Sequence, residues 1–323
     1  MGIASPQSTQ QTKMTPTATI SAEKLTELWQ SQIDSWELAR NNFQALSEAL
    51  KRSIDTCGVC VGVQYNPGRL TSVSSKPQIQ QPNRCFLCRE NRPQEQAEIR
   101  YANEYAILVN PYPIFDRHFT IASTTHTPQC IDGRMTHLLD LARSCAPYTF
   151  FYNGAKCGAS ATMHMHFQAG TPGYLPIERQ WRDATKYEIA SLPHAGLYRI
   201  DGLLRAIFLL VADSINDALL LWEKLYHALP AGPGEEPMMN IIARHEGMQW
   251  VVLIFPRLKH RPDCYYATGE AQYLISPGAV EMGGVFITPR YDDYERLSAE
   301  KVCEIYTEVS LTPAETASIC KKI

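Results

Sequence analysis

The chain has 323 residues, with 30 basic against 33 acidic side chains, a formal charge of −3 and a sequence pI near 6.3. That balance leaves no broad field for nucleic acid or an anionic membrane, so any phosphate binding must come from a few placed groups. With 45% hydrophobic and 20% charged residues the composition excludes disorder for the bulk of the chain, and the length allows two halves with a substantial core.

Residues 1–20 are rich in Ser, Thr, Gln and Pro and lack the apolar core of a signal peptide, so a disordered lead-in is expected. The most apolar stretch, residues 202–215, is broken by Arg205 and Asp213, far short of the ~18 apolar residues of a membrane span. A soluble protein is expected. Ten cysteines without an export signal point to reduced thiols in the cytoplasm and, for some of them, metal ligation.

Over residues 21–51 apolar side chains recur at helical spacing (Leu25, Leu28, Ile33, Phe43, Leu46), which predicts one long or two short amphipathic helices. Val59, Val61, Val63 and Tyr65 alternate as in a half-buried strand that runs into the turn Asn66-Pro67-Gly68. Beyond a loop rich in Ser, Pro and Gln, strands are expected at 105–110, 118–123, 148–153 and 163–169, with a helix near 134–146. After the polar segment 178–188 the ingredients repeat: a strand near 204–212, a helix opened by Ser214 with Asp217 three residues on, and a hairpin of 240–244 and 249–255. A strand at 285–288 and a helix at 298–309 close the chain. The expected class is α+β, in two related halves, 21–184 and 185–323.

Cys85-Phe86-Leu87-Cys88 lies between turn formers, and Cys-x-x-Cys in a tight turn brings two thiolates onto one metal. A dithiol redox pair is the rival reading, but such pairs precede a helix in a βαβ setting, whereas Pro93 lies close by here. Cys57 and Cys60 would complete a four-cysteine ribbon, except that residues three apart on an extended strand point to opposite faces, which makes them packed thiols. Of the remaining groups, His118 at the head of a strand and His164 complete a four-ligand set with Cys85 and Cys88.

The densest signal is residues 153–168. On a strand His164, His166 and Gln168 share one face, while Met163, Met165 and Phe167 share the other. Before them runs a stretch of Gly, Ala and Ser, including Gly158 and Ser160, whose backbone N–H groups can approach a phosphate closely.

These pieces, with Asn66-Pro67-Gly68-Arg69 and Arg117-His118 in the same order, resemble the histidine triad superfamily. Within it they resemble the branch of galactose-1-phosphate uridylyltransferase and the nucleotide phosphorylases, with wording similar to the GDP-hexose phosphorylases. The resemblance implies a histidine-triad-like antiparallel sheet with flanking helices, the second half a degenerate copy of the first. It also implies double displacement. Neutral His166 attacks the α-phosphorus of a nucleotide sugar, its other nitrogen held as N–H by a carbonyl. Gln168, Asn153 and the backbone of 158–160 share the developing charge, with Arg69 on the nucleotide. Inorganic phosphate as second nucleophile makes the enzyme a phosphorylase and a sugar phosphate makes it a transferase; dinucleoside polyphosphates are alternative donors. A closed set of Cys85, Cys88, His118 and His164 has no open position for substrate, so zinc there, or iron, is structural. Arg257 and Lys259, in a basic turn after a strand, are candidates for an anionic acceptor site or a solvated surface. A non-catalytic nucleotide-binding module competes with the enzyme, but a binder needs no nucleophile. A hydrolase also competes, though such a triad carries a third His at 168.

Overall fold

A computed structural model describes residues 20–70 and 85–323. The expected lead-in, apart from Ile20, and the Ser, Pro and Gln-rich loop fall outside the described residues. The N-terminal periodicity resolves into two helices, α1 (Ala22–Ser35) and α2 (Glu37–Ser47), split at Trp36, whose backbone is extended. The Ser21 side chain accepts from the Lys24 N–H and so caps α1.

A hairpin follows, β1 (Lys51–Thr56) and β2 (Val59–Tyr65), closed by Cys57 and Gly58, both at positive φ. Cys57 and Cys60 are exposed at this turn, not packed as expected. Then come β3 (Glu98–Tyr101), β4 (Tyr105–Val109), β5 (His118–Ser123), α3 (Met135–Ser144), β6 (Thr149–Asn153), β7 (His166–Gly170) and α4 (Ile177–Asp183). The second block holds β8 (Thr185–Leu192), β9 (Ala195–Asp201), β10 (Ile207–Ala212), α5 (Ile215–Ala228), β11 (Met239–Glu246) and β12 (Gln249–Pro256). The C-terminal part adds α6 (Asp263–Tyr266), α7 (Ala279–Met282), β13 (Val285–Thr288), α8 (Tyr291–Arg296), α9 (Ala299–Val309) and α10 (Pro313–Cys320).

Strands β3 to β12 form one antiparallel sheet in the order β3-β4-β5-β7-β6-β11-β12-β10-β9-β8. Read outward from the β6–β11 seam, both sides have the same order: fourth, fifth, third, second and first strand of the block. In each block a helix, α3 or α5, joins the third strand to the fourth. The blocks differ in their last connection. Residues 154–165 join β6 to β7, whereas Gly247 and Met248 alone join β11 to β12. The fold is α+β, as expected.

Pairing sorts the side chains onto two faces. Phe119, Ile121, Phe150, Tyr152, Phe167 and Ile241 face α1, α3 and α5 in one core. Phe151, Ile242, Leu253 and Phe255 face the other way, under the small sheet β1-β2-β13 and α9. Across the register, Ala122 opposes His166, Thr120 opposes Gln168, and Asn153 opposes Asn240, all on this second face. Among the described residues no helix is long and apolar enough to cross a membrane.

Gly170 is needed for a packing reason. A Cβ there would lie 2.4 Å from the Phe115 ring, which packs edge-on against His118 (5.3 Å between ring centres) and Tyr174 (4.8 Å). Gly170→Ala is expected to cost about 1–3 kcal/mol through overpacking. A urea titration checks this, and an unchanged midpoint would mean that Phe115 moves aside freely.

Candidate active site

His166 is the first residue of β7 and is buried at 2% exposure. Its Nδ1 lies 2.9 Å from the His164 carbonyl, which can only accept, so Nδ1 carries the proton and Nε2 carries the lone pair. Burial holds its pKa down, from 6.5 to about 4, so the ring is neutral at physiological pH. Its backbone N–H donates to Gln129 Oε1 (2.8 Å), while Gln129 Nε2 donates to the carbonyls of Asn153 (2.8 Å) and His166 (3.0 Å). Gln129 thus stitches β6 to β7 where the connection 154–165 splays them.

Two carboxamides flank this imidazole, and the orientation of each is fixed. The Ile114 N–H donates to His118 Nδ1 (3.1 Å), so the single ring proton is on His118 Nε2, which donates to Gln168 Oε1 (2.9 Å). Burial, helped by the Arg69 charge, lowers the His118 pKa to about 3 and keeps that tautomer neutral. Asn153 Oδ1 accepts from the Ala279 N–H (2.7 Å) and from Asn240 Nδ2 (2.8 Å). Both amide oxygens are therefore occupied by the scaffold. Both amide nitrogens remain for a ligand.

The loop 154–165 approaches the second block closely. Gly158 has φ +93, and a Cβ on it would lie 2.9 Å from Gly278 Cα, so only glycine fits. Ser160 is on the exposed side of this loop. Arg69, the last residue of the turn Pro67–Arg69, donates to the Tyr112 carbonyl (3.3 Å) and lies near enough to Glu281 for each charge to act on the other. Glu281 accepts from the Gly278 N–H (2.8 Å), and burial raises its pKa to about 6.

Two of the expected anion binders do other work. Arg257 is buried and uses its N–H groups on the carbonyls of Val309, Pro277, Lys259 and His260 and on Asn240 Oδ1. Lys259 sits at the surface in ion pairs with Asp263 (2.6 Å) and Glu308 (2.9 Å). Neither is left for an acceptor.

The metal set also differs from the expected one. Cys85, Cys88, His126 and His164 bring their ligand atoms within 4.8 Å of one another. His118 is not among them. The reason is strand direction: β5 and β7 are antiparallel, so His118 at the start of β5 opposes Gly170 at the end of β7. The far end of β5 meets the start of β7, where the Ser123 N–H donates to the Met165 carbonyl (2.8 Å). His126 follows that end and takes the fourth position. His164 precedes β7 and turns away from the face of His166 and Gln168. Its Nε2 donates to the Ser123 carbonyl (2.8 Å), leaving Nδ1 3.3 Å from Cys85 Sγ and 3.5 Å from Cys88 Sγ. His126 Nδ1 is 3.2 Å from Cys88 Sγ. Around zinc, with Zn–S near 2.3 Å and Zn–N near 2.0–2.1 Å, a tetrahedral S···N edge is about 3.5 Å. The donor set fits a structural ion and leaves no open position.

His126, Gln129, Asn240 and Glu281 were not found from sequence. Antiparallel pairing of 118–123 with 166–170 is the signal that selects His126 over His118. The other three are polar residues buried among apolar ones, and tertiary pairing explains them: Gln129 bridges β6 and β7, Asn240 lies at the seam between the blocks, and Glu281 lies close to Arg69.

Comparison with known proteins finds a family model described as "Domain of unknown function (DUF4922)", matching residues 28–171. No curated protein matches. Among solved structures the chain is similar to yeast Ap4A phosphorylase Apa2 in complex with AMP (TM-score 0.55, 15% identity, 88% of this chain and 96% of that one). A second structure of yeast Ap4A phosphorylase Apa2 matches with TM-score 0.55 and 14% identity over 88% of this chain and 96% of that one. A DUF4931 family protein from Bacillus cereus ATCC 10987 has TM-score 0.40 and 12% identity over 58% of this chain and 96% of that one. The phosphorylase likeness is one of fold: the chain shares the mixed α and β architecture of that enzyme, a large antiparallel sheet with flanking helices. It does not reach the GDP-hexose branch.

Metal content is expected at about one ion per chain. Elemental analysis should show it lost in Cys85→Ser and His126→Ala and kept in His118→Ala; loss in the last variant would restore the set expected from sequence. A second expectation concerns pH. His118 and His166 are depressed from 6.5 to about 3 and about 4, so the unfolded chain binds more protons between those values. Their stabilisation is complete above pH 6.5 and is lost as pH falls, by up to about 1.4 kcal/mol per pH unit for each group. Thermal unfolding at pH 7.5 and 5 reads this, and equal midpoints would show that these rings are not held neutral.

Proposed function

We propose that this protein transfers a nucleotidyl group through a nucleotidyl-His166 intermediate and acts as a phosphorylase. The observation that carries the reading is the His166 Nδ1–H bond to the His164 carbonyl at 2.9 Å, which aims the Nε2 lone pair at the site. In the first step Nε2 bonds to the α-phosphorus while the bond from that phosphorus to the leaving phosphoryl oxygen breaks. Gln168 and Asn153 donate to the non-bridging oxygens, with the backbone of 158–160 sharing the developing charge and Arg69 offsetting it. In the second step an oxygen of inorganic phosphate bonds to the same phosphorus and the P–N bond breaks, returning neutral His166 and a nucleoside diphosphate. Cys85, Cys88, His126 and His164 would hold a structural zinc ion, and that ion would fix the backbone whose carbonyl orients His166.

Two donor classes are proposed: a nucleotide sugar such as a GDP-hexose, which rests on the wording of residues 153–168, and a dinucleoside polyphosphate, which rests on the fold likeness to Ap4A phosphorylase. Hexose 1-phosphate is the alternative acceptor. A free Nε2 beside two fixed donors favours catalysis over a binding module.

Enzyme mixed with Ap4A or GDP-mannose, without phosphate, is expected to gain one nucleoside monophosphate per chain by intact mass, labile in acid and stable in base. Phosphate should discharge it, with ping-pong kinetics. His166→Ala should abolish it, a loss of at least about 10³-fold, with fold and metal intact. A working enzyme with sequential kinetics and no adduct in a single turnover would sink the mechanism.

A further inference from the structure

We infer that Asn240 and Arg257, both from the second block, form a positioning relay that holds the Asn153 amide as a hydrogen-bond donor to the reacting phosphate. The inference rests on the proposed reading of the site. Its geometry leaves no freedom to exchange oxygen and nitrogen at either amide. Arg257 Nη1, which can only donate, lies 2.6 Å from one end of the Asn240 amide, which must therefore be Oδ1. The other end lies 2.7 Å from the Cys157 carbonyl, which can only accept, and must be Nδ2. That same Nδ2 lies 2.8 Å from the Asn153 amide, so the Asn153 atom facing it is Oδ1, and the Ala279 N–H at 2.7 Å makes the same assignment independently.

Asn153 Nδ2 is what remains, and it has no hydrogen-bond partner among the described residues. The relay is deeply buried: Asn240 is at 0% exposure and Arg257 at 3%. Arg257 is itself fixed by backbone carbonyls at residues 259, 260, 277 and 309. A buried amide reversed in this setting would face donor to donor at Ala279 and lose its bonds, so the donor orientation is the stable one. The basic turn after β12 thus serves phosphate chemistry without touching phosphate. It acts through two side chains and across the seam.

Asn240→Asp tests this in the full chain, because it keeps an acceptor for Arg257 while removing the donor to Asn153. Nucleotidylation of His166 by Ap4A and GDP-mannose is timed in wild type, Asn153→Ala, Asn240→Asp and the double variant, with metal content and melting temperature measured beside it. AMP and GMP affinities by calorimetry give the same comparison without turnover. The expected result is a loss of about 10–100-fold for each single variant, no further loss in the double variant, and metal content unchanged. Should the carboxylate prevent folding, Asn240→Ser, neutral and too short to reach Asn153, is expected to show the same non-additivity. A wild-type rate in Asn240→Asp beside a slow Asn153→Ala overturns the relay alone, as do losses that multiply. Unchanged rates and affinities in Asn153→Ala overturn both the relay and the phosphate role of Asn153, whereas absence of any adduct with normal nucleotide binding overturns only the transfer reaction.

Discussion

The hydrogen bond from His166 Nδ1 to the His164 carbonyl is the constraint on which the rest of the site depends. It is a bond between residues two apart, and it forms only if the backbone at 164 is held while the chain enters β7. The His164 ring does the holding, with one nitrogen on the Ser123 carbonyl and the other toward two sulphurs. One residue therefore links the candidate metal cluster and the proposed nucleophile, its ring to the first and its carbonyl to the second. A metal held there would need no substrate contact to influence the proposed chemistry; it would act by setting a tautomer.

Around that imidazole the same device is used twice. Gln168 has its oxygen tied by His118, and Asn153 has its oxygen tied by Asn240 and Ala279. Fixed donors cost nothing to reorganise when charge develops, which is where electrostatic catalysis draws most of its effect. Burial supports the arrangement by keeping His118 and His166 neutral. A protonated His118 would lose the acceptor that Ile114 N–H requires.

Most of the strands were legible in the sequence because alternation and β-branched residues mark them, as at Val59, Val61 and Val63. Four were not. β1, β3 and β8 are short or largely exposed, and their polar faces hide the period; β9 is mostly buried, but Ala195-Gly196 at its start and Arg199 within it leave no clear alternation. The run 153–168 announced His166, Gln168 and Asn153, since small residues and two close histidines are rarely required by packing. It misled on His164, because a strand read back to 163 puts 164 and 166 on one face, whereas β7 begins at His166. His126 and the true place of Arg257 were hidden for a different reason. Which groups meet depends on strand direction and on the seam, and neither is encoded in any local pattern.

The seam has a consequence for how the chain can be divided. The first block owns the proposed nucleophile, the loop and the candidate metal cluster, and would look self-sufficient to anyone designing a shorter fragment. Cut between α4 and β8, however, it would keep Asn153 and lose the groups from Asn240 and Ala279 that orient it. It would also bare the β6 edge that pairs with β11, an invitation to self-association. The second block, with its two-residue turn between β11 and β12, has no counterpart of the loop 154–165. The repeated strand order is thus tied together at the seam, and the proposed site draws side chains and backbone from both sides of it.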